Sequence, residues 1–132
     1  MTEKFTIVTR NRSEMIDITE KVRGALFSSS VRSGICQVFT PHTTAGLTIN
    51  ENADPDVRAD ITESLNRLVP WKAGYSHAEG NSAAHIKATL TGSSVTAPVE
   101  DGRLVIGTWQ CIYFCEFDGP RTRTVIVNVI GS

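Results

Sequence analysis

The sequence predicts an α+β fold in one domain spanning residues 1–132, with seven or eight short strands and two or three interspersed helices. Apolar–polar alternation of period two dominates both ends of the chain, and apolar residues recur at helical spacing in two stretches between Thr19 and Leu68. All three histidines stand in short polar stretches, not apolar runs, which points to where the chemistry sits.

Residues 5–9 and 14–18 alternate as strands, with Asn11-Arg12-Ser13 as the turn between them. Thr19 is the expected cap of a helix carrying Val22, Ala25 and Leu26 on one face. Residues 35–39 and 46–50 read as strands, and His42 lies in their connection. The clearest helix follows: Asp54 caps it, Pro55 takes the first helical position, and Val57, Ile61, Leu65 and Leu68 form its apolar stripe before Pro70 stops it. Residues 71–80 read as a loop, and Asn81 or Ser82 caps a short helix through Leu90, ended by Gly92. The remainder is β: residues 94–99, a turn at Glu100-Asp101-Gly102, then 103–106 and 109–117. A tight hairpin turn at Asp118-Gly119-Pro120 is expected next, leading into 121–129, with Val125, Val127 and Val129 on one face.

A composition of 40% hydrophobic and 20% charged residues with a net charge of -1 fits a soluble globular protein. That balance offers no long-range pull toward nucleic acid or anionic membrane, so neither is an expected partner. The first residues lack a secretory signal and the longest aliphatic run is too short to cross a bilayer, so a cytoplasmic location is expected. Cys36, Cys111 and Cys115 are odd in number, and the last two lie about 13 Å apart if they share a strand. They read as buried, unpaired thiols.

Three segments carry candidate chemistry. The run from His42 through Thr43, Thr44, Asn50, Glu51 and Asn52 to Asp54 and Asp56 gathers hydroxyls, amides and carboxylates around one strand. Its oxygens suit magnesium or calcium and its histidine shifts the preference toward zinc or another transition metal; Asp54 and Asp56 are also what a helix start favours. The second segment runs from His77 to His85. Gly80, Asn81 and Ser82 ahead of a helix resemble an anion cradle, and His85 falls in the first turn, where the dipole favours a neutral imidazole. The third joins Trp109 with Asp118, Arg121 and Arg123; the arginines either close a salt-bridged tip or bind phosphate with their planar forks.

In order and spacing, His42-Thr43-Thr44-Ala45-Gly46, Asn50-Glu51-Asn52-Ala53-Asp54-Pro55-Asp56-Val57, the His77 to Lys87 segment, Gly107-Thr108-Trp109-Gln110 and Asp118-Gly119-Pro120-Arg121 closely resemble the small YjbQ-like family. Members of that family carry the name secondary thiamine-phosphate synthase. The resemblance implies a sandwich-like fold of mixed or antiparallel sheets, assembled as a homotrimer with the polar motifs near subunit boundaries. It also implies a histidine site holding a divalent metal, zinc or magnesium, with His42, His77 and His85 as ligands.

The activity implied is the joining of a pyrimidine diphosphate to a thiazole phosphate with release of pyrophosphate. On that reading His42, Glu51, His85 and Asp118 are the catalytic candidates. Thr43, Thr44, Asn50, Asn52, Gly80, Asn81, Ser82, Trp109, Arg121 and Arg123 are the candidates for holding a small phosphorylated substrate. Two alternatives stand beside it. One is a metal- or phosphometabolite-binding trimer whose catalysis is incidental; the other is a metal-assisted hydrolase with Glu51 or Glu79 as base.

Overall fold

The structure, a computed structural model, describes residues 2–132. In chain order the elements are β1 (Thr2–Val8), β2 (Glu14–Asp17), α1 (Thr19–Ser29), β3 (Gly34–Phe39), β4 (Ala45–Glu51), α2 (Pro55–Leu68), α3 (Ser82–Thr91), β5 (Ser94–Glu100), β6 (Arg103–Leu104), β7 (Gln110–Glu116) and β8 (Thr122–Gly131). Five strands form one sheet in the order β1-β8-β3-β5-β6, and three form a second in the order β2-β7-β4. All of these pairings are antiparallel, so the mixed-sheet alternative drops out.

The expected α+β class, with three helices, is what the chain adopts. Ile7, Val38, Val125 and Val127 from the larger sheet meet Leu47, Ile112 and Phe114 from the smaller, and Val22, Ala25 and Leu26 of α1 fill the same core. A second cluster lies on the other side of the small sheet, where Cys111, Tyr113 and Cys115 pack with Met15, Ala84, Ile61 and Leu65. Successive β7 side chains thus enter opposite cores, which explains its unbroken buried run from Cys111 to Glu116.

Local chemistry accounts for the helix ends, with two corrections: α3 lacks the side-chain cap expected from Asn81 or Ser82, and α1 is not capped by Thr19. Asp54 accepts the Asp56 N–H at 2.9 Å and Pro55 opens α2, as expected. Thr19 does not cap α1; it is the first helical residue and is buried. Asp17 Oδ1 instead accepts its N–H at 2.9 Å and its hydroxyl at 2.6 Å, while the Thr19 hydroxyl oxygen accepts the Ile112 N–H at 2.9 Å. The α2 stripe also buries less than its pattern suggests. No residue of this helix is fully buried, and Leu68 is 75% exposed.

Three expected turns do different work. The Glu100-Asp101-Gly102 turn does make a hairpin between β5 and β6, with positive φ at both Asp101 and Gly102 as such a tight turn requires. Asp118-Gly119-Pro120, however, is not a hairpin. It carries the chain from β7 in the small sheet to β8 in the large one, and Asn11-Arg12-Ser13 likewise joins strands of different sheets. Residues 40–44 make a third crossing, from β3 to β4. All three meet at one corner: Thr9 N–H donates to Arg121 O at 2.8 Å, Gly119 N–H to Arg12 O at 3.1 Å, and Phe117 N–H to Thr44 O at 3.2 Å.

The cysteines are free and buried. Burial pushes the Cys36 thiol up to about 11 and the Cys115 thiol up to about 12, and also raises Cys111. Because the thiolate is the reactive form, all three are expected to resist a thiol reagent in native buffer and to react in denaturant. Stoichiometric labelling of the folded protein within minutes would contradict this. Among the described residues no helix is long and apolar enough to cross a membrane.

Candidate functional site

The crossing after β3 determines how His42 is held. β3 pairs with β8 so that Phe39 faces Ile126; two residues further, the same register would set Pro41 against Thr124. Proline and the departure toward the small sheet end the ladder there. Thr124 is satisfied by side chains instead: its N–H donates to His42 Nε2 at 2.9 Å, and its carbonyl accepts the Thr40 hydroxyl at 3.0 Å. A backbone amide can only donate, so Nε2 is the lone-pair nitrogen and the neutral ring carries its proton on Nδ1. Burial, reinforced by the charge of Arg123 and opposed by Glu116, holds this imidazole below its ordinary range.

A second wall comes from α3, seated on β4 by Gly46. A Cβ at Gly46 would lie 2.0 Å from Thr91 Oγ1 and 2.8 Å from the Gly92 carbonyl oxygen, so only glycine admits this approach. The Leu47 N–H then bonds Gly92 O at 3.0 Å. At the other end of α3, His85 occupies the first turn, and no side chain caps the helix. The Asn81 carbonyl accepts the Ala84 N–H at 3.0 Å and the His85 N–H at 3.4 Å, which leaves the N–H groups of Ser82 and Ala83 as the open donors of this turn, where positive potential concentrates. Gly80, at a φ of 77°, closes a turn through its N–H to His77 O. That turn brings the His77 ring edge-on to His85 at 5.5 Å between centroids.

Asn81 is 8% exposed; its Nδ2 donates to Asp118 Oδ2 at 3.0 Å and its buried Oδ1 has no partner. Arg121 Nη2 meets the same Asp118 oxygen at 3.0 Å, and its Nε donates to the Asp118 carbonyl at 2.8 Å. About half of the Arg121 side chain remains exposed. These groups line a cleft of ≈ 450 Å³ together with His42, Thr43, Thr44, His77, Glu79 and His85. A second hollow of ≈ 470 Å³ adjoins it and shares His42, Thr43 and His85.

Arg123 reaches the rim but is not a free phosphate ligand. Its guanidinium grips Glu116 through both carboxylate oxygens, Nε to Oε1 at 2.9 Å and Nη2 to Oε2 at 2.5 Å, and also donates to Thr44 Oγ1 at 2.9 Å. Glu116 also accepts the Thr9 hydroxyl at 2.7 Å and the Asp118 N–H at 3.0 Å. Burial works to raise the Glu116 pKa, but these hydrogen bonds and the arginine charge prevail and hold it below the usual carboxylate range. The pair ties together all three crossings. Glu116 was no candidate on sequence grounds, although Arg123 shares the inward phase of Val125 and Val127, and a charge there demands a partner.

The remaining candidates lie elsewhere. Asn50, Glu51 and Asn52 stand at the far end of β4, about 20 Å from its Ala45 end by strand rise alone. Asn52 is bound by Asp17, Arg58 and Tyr113, none of them a sequence candidate, since only the fold brings them together. With Trp109 it lines a separate hollow of ≈ 380 Å³. Ser82 opens α3 without lining the cleft. Within the described chain Glu51 and Trp109 therefore do not join the histidines.

The three-histidine metal centre implied by the resemblance does not fit this donor set. A metal ligand must offer a lone pair, and the His42 lone pair is spent on Thr124. Asp118, a carboxylate lining the cleft, already receives Asn81 and Arg121. Among the described residues no group of three or more His, Cys, Asp or Glu side chains stands close enough to hold a metal ion.

The family described as UPF0047 protein YjbQ-like matches residues 3–132. The chain belongs to that family. The UPF0047 protein YugU of Bacillus subtilis is 50% identical over 132 residues, covering 99% of this chain and all of that one. A conserved YjbQ/UPF0047-family protein of Clostridium acetobutylicum superposes with a TM-score of 0.95 at 53% identity, covering 97% of this chain and 99% of that one. A hypothetical protein of Aeropyrum pernix matches with a TM-score of 0.96 at 39% identity, covering 100% and 99%. Membership thus accounts for the fold and for the motif order around the cleft, while the chemistry rests on the cleft itself.

Proposed function

We propose that the cleft binds a phosphorylated small molecule through its phosphate or diphosphate, and that the bound diphosphate serves as leaving group in a transfer of the thiamine-phosphate synthase type. The observation that supports this is the gathering of His42, His77, His85 and Arg121 around one cleft. The half-exposed Arg121 fork and the Nδ1–H of His42 are hydrogen-bond donors in the wall of this cleft, and the Asp118 carboxylate beside them is already engaged by Asn81 and Arg121. In the transfer, the ring nitrogen of a thiazole phosphate attacks the methylene carbon of a pyrimidine diphosphate. The new C–N bond forms as the C–O bond breaks, and the electron pair leaves on pyrophosphate. Donors already in place stabilise that developing charge without reorganising.

The test has two stages. Calorimetric titration with inorganic pyrophosphate should show binding to the wild-type protein and a loss of at least about tenfold in Arg121→Ala, equivalent to one charge-assisted contact. Incubation with the two phosphorylated precursors should then yield thiamine phosphate, and His85→Asn should lower the yield. Binding without product would leave the second reading, a phosphometabolite-binding protein. No pyrophosphate binding at all would remove both.

A further inference from the structure

We infer that His42 serves in this cleft as a neutral hydrogen-bond donor held in a single tautomer, Nδ1–H, so that the anion is received without a metal ion. This inference rests on the phosphate reading above and deepens it, because it states how the anion is held. It also disagrees with the histidine–metal centre that the resemblance implies.

An imidazole can act as a base or metal ligand through a lone pair, as a cation with two protons, or as a neutral donor. The Thr124 amide occupies the Nε2 lone pair at 2.9 Å, which removes the first role at that nitrogen. Nδ1 bears the proton in the neutral ring, which removes the first role there too. The cationic form would set an Nε2–H against the Thr124 N–H. That amide cannot turn away, because its strand pairs with β1 through Thr6 and its carbonyl is held by Thr40. The neutral donor is what remains. No protein group pairs with Nδ1 among the described residues, and the ring lines both hollows of the site.

The other two histidines differ. Neither His77 nor His85 has a side-chain bond that would dictate its tautomer; they meet only edge to face. Only the His42 proton is therefore placed by the backbone, and placed in advance, as a donor facing a developing oxyanion should be. The arrangement depends on a sheet ladder broken at Pro41, with the side chain of the next residue standing in for the missing strand.

Two-bond proton–nitrogen NMR spectra of ¹⁵N-histidine-labelled protein read this directly. For His42, assigned by its disappearance in His42→Ala, Nε2 is expected to be pyridine-like and Nδ1 pyrrole-like, with or without zinc. Titration with inorganic pyrophosphate should shift the Nδ1 signal. Pyrophosphate affinity should agree within about twofold between EDTA-treated and zinc-supplemented protein. His42→Gln should retain binding, because an amide can accept from Thr124 and still donate, whereas it is a poor substitute for imidazole on zinc. A pyridine-like Nδ1, affinity that requires zinc, or loss of binding in a folded His42→Gln would each overturn the inference. If pyrophosphate does not bind the wild type, the phosphate reading fails, and the nitrogen spectra still decide the tautomer.

Discussion

Glu116→Ala is expected to lower folding stability by about 3–5 kcal/mol, because it strands a buried guanidinium without its counter-charge. Arg123 is 3% exposed and Glu116 fully enclosed, so water cannot replace the lost partner. The three crossings that share this pair should loosen together. Replacing both residues by apolar ones of similar size should recover much of the loss, since the pair's attraction largely offsets its own desolvation. Urea denaturation of the single and double variants measures both effects. A single variant within about 1 kcal/mol of wild type would show that the ion pair does not hold the corner.

The same pair sets the acid response. The Glu116 pKa is depressed in the folded chain, so its stabilising contribution is complete above the unfolded value near 4.3 and is lost as pH falls through the folded one. His42 is also depressed but is cationic when protonated, so below about pH 6.5 the unfolded chain takes up its proton first. Both groups make the protein less stable on acidification. Glu116→Ala should remove the lower part of that dependence.

Gly46→Ala is the second change expected to have a large effect. The added methyl would meet the Gly92 carbonyl at 2.8 Å, and backbone cannot swing aside as a side chain can. Overpacking of this sort costs about 1–3 kcal/mol. Relief comes by moving α3 off β4, which draws Asn81 and His85 away from His42 and should weaken pyrophosphate binding in step with stability. Adding Thr91→Ala removes the 2.0 Å contact but not the carbonyl, so rescue should be partial. An alanine variant as stable and as tightly binding as the wild type would show that α3 has room to spare.

The parts of this molecule that were legible in the sequence are those written in neighbouring residues. Asp54-Pro55 announced α2, and the alternation of Val125, Val127 and Val129 announced the inward face of β8. Asp118-Gly119-Pro120 suggests a hairpin because turn residues say that the chain reverses, not which sheet receives it. Thr19 suits a cap as well as Asp17 two residues earlier does, and neighbouring residues alone do not choose between them. The polar stretches holding the histidines are visible, but sequence proximity hides the length of a strand: β4 separates Asn52 from His42, and β7 separates Trp109 from Asp118 and Arg121. That His42 donates from Nδ1 depends on Thr124, and no local pattern could show it.

The bonds that shape the cleft span most of the chain. His42 reaches 82 positions to Thr124, Thr44 reaches 79 to Arg123, and Thr9 reaches 112 to Arg121. During vectorial synthesis the first two crossings are therefore made long before their partners, and they wait, unanchored, for the final strand. Closing such distant loops is slow and is rewarded only when β8 inserts between β1 and β3. The pocket thus has no independent existence in a nascent chain. A ligand that recognises it recognises a finished molecule, so occupancy reports completion of the whole fold and strengthens it by mass action.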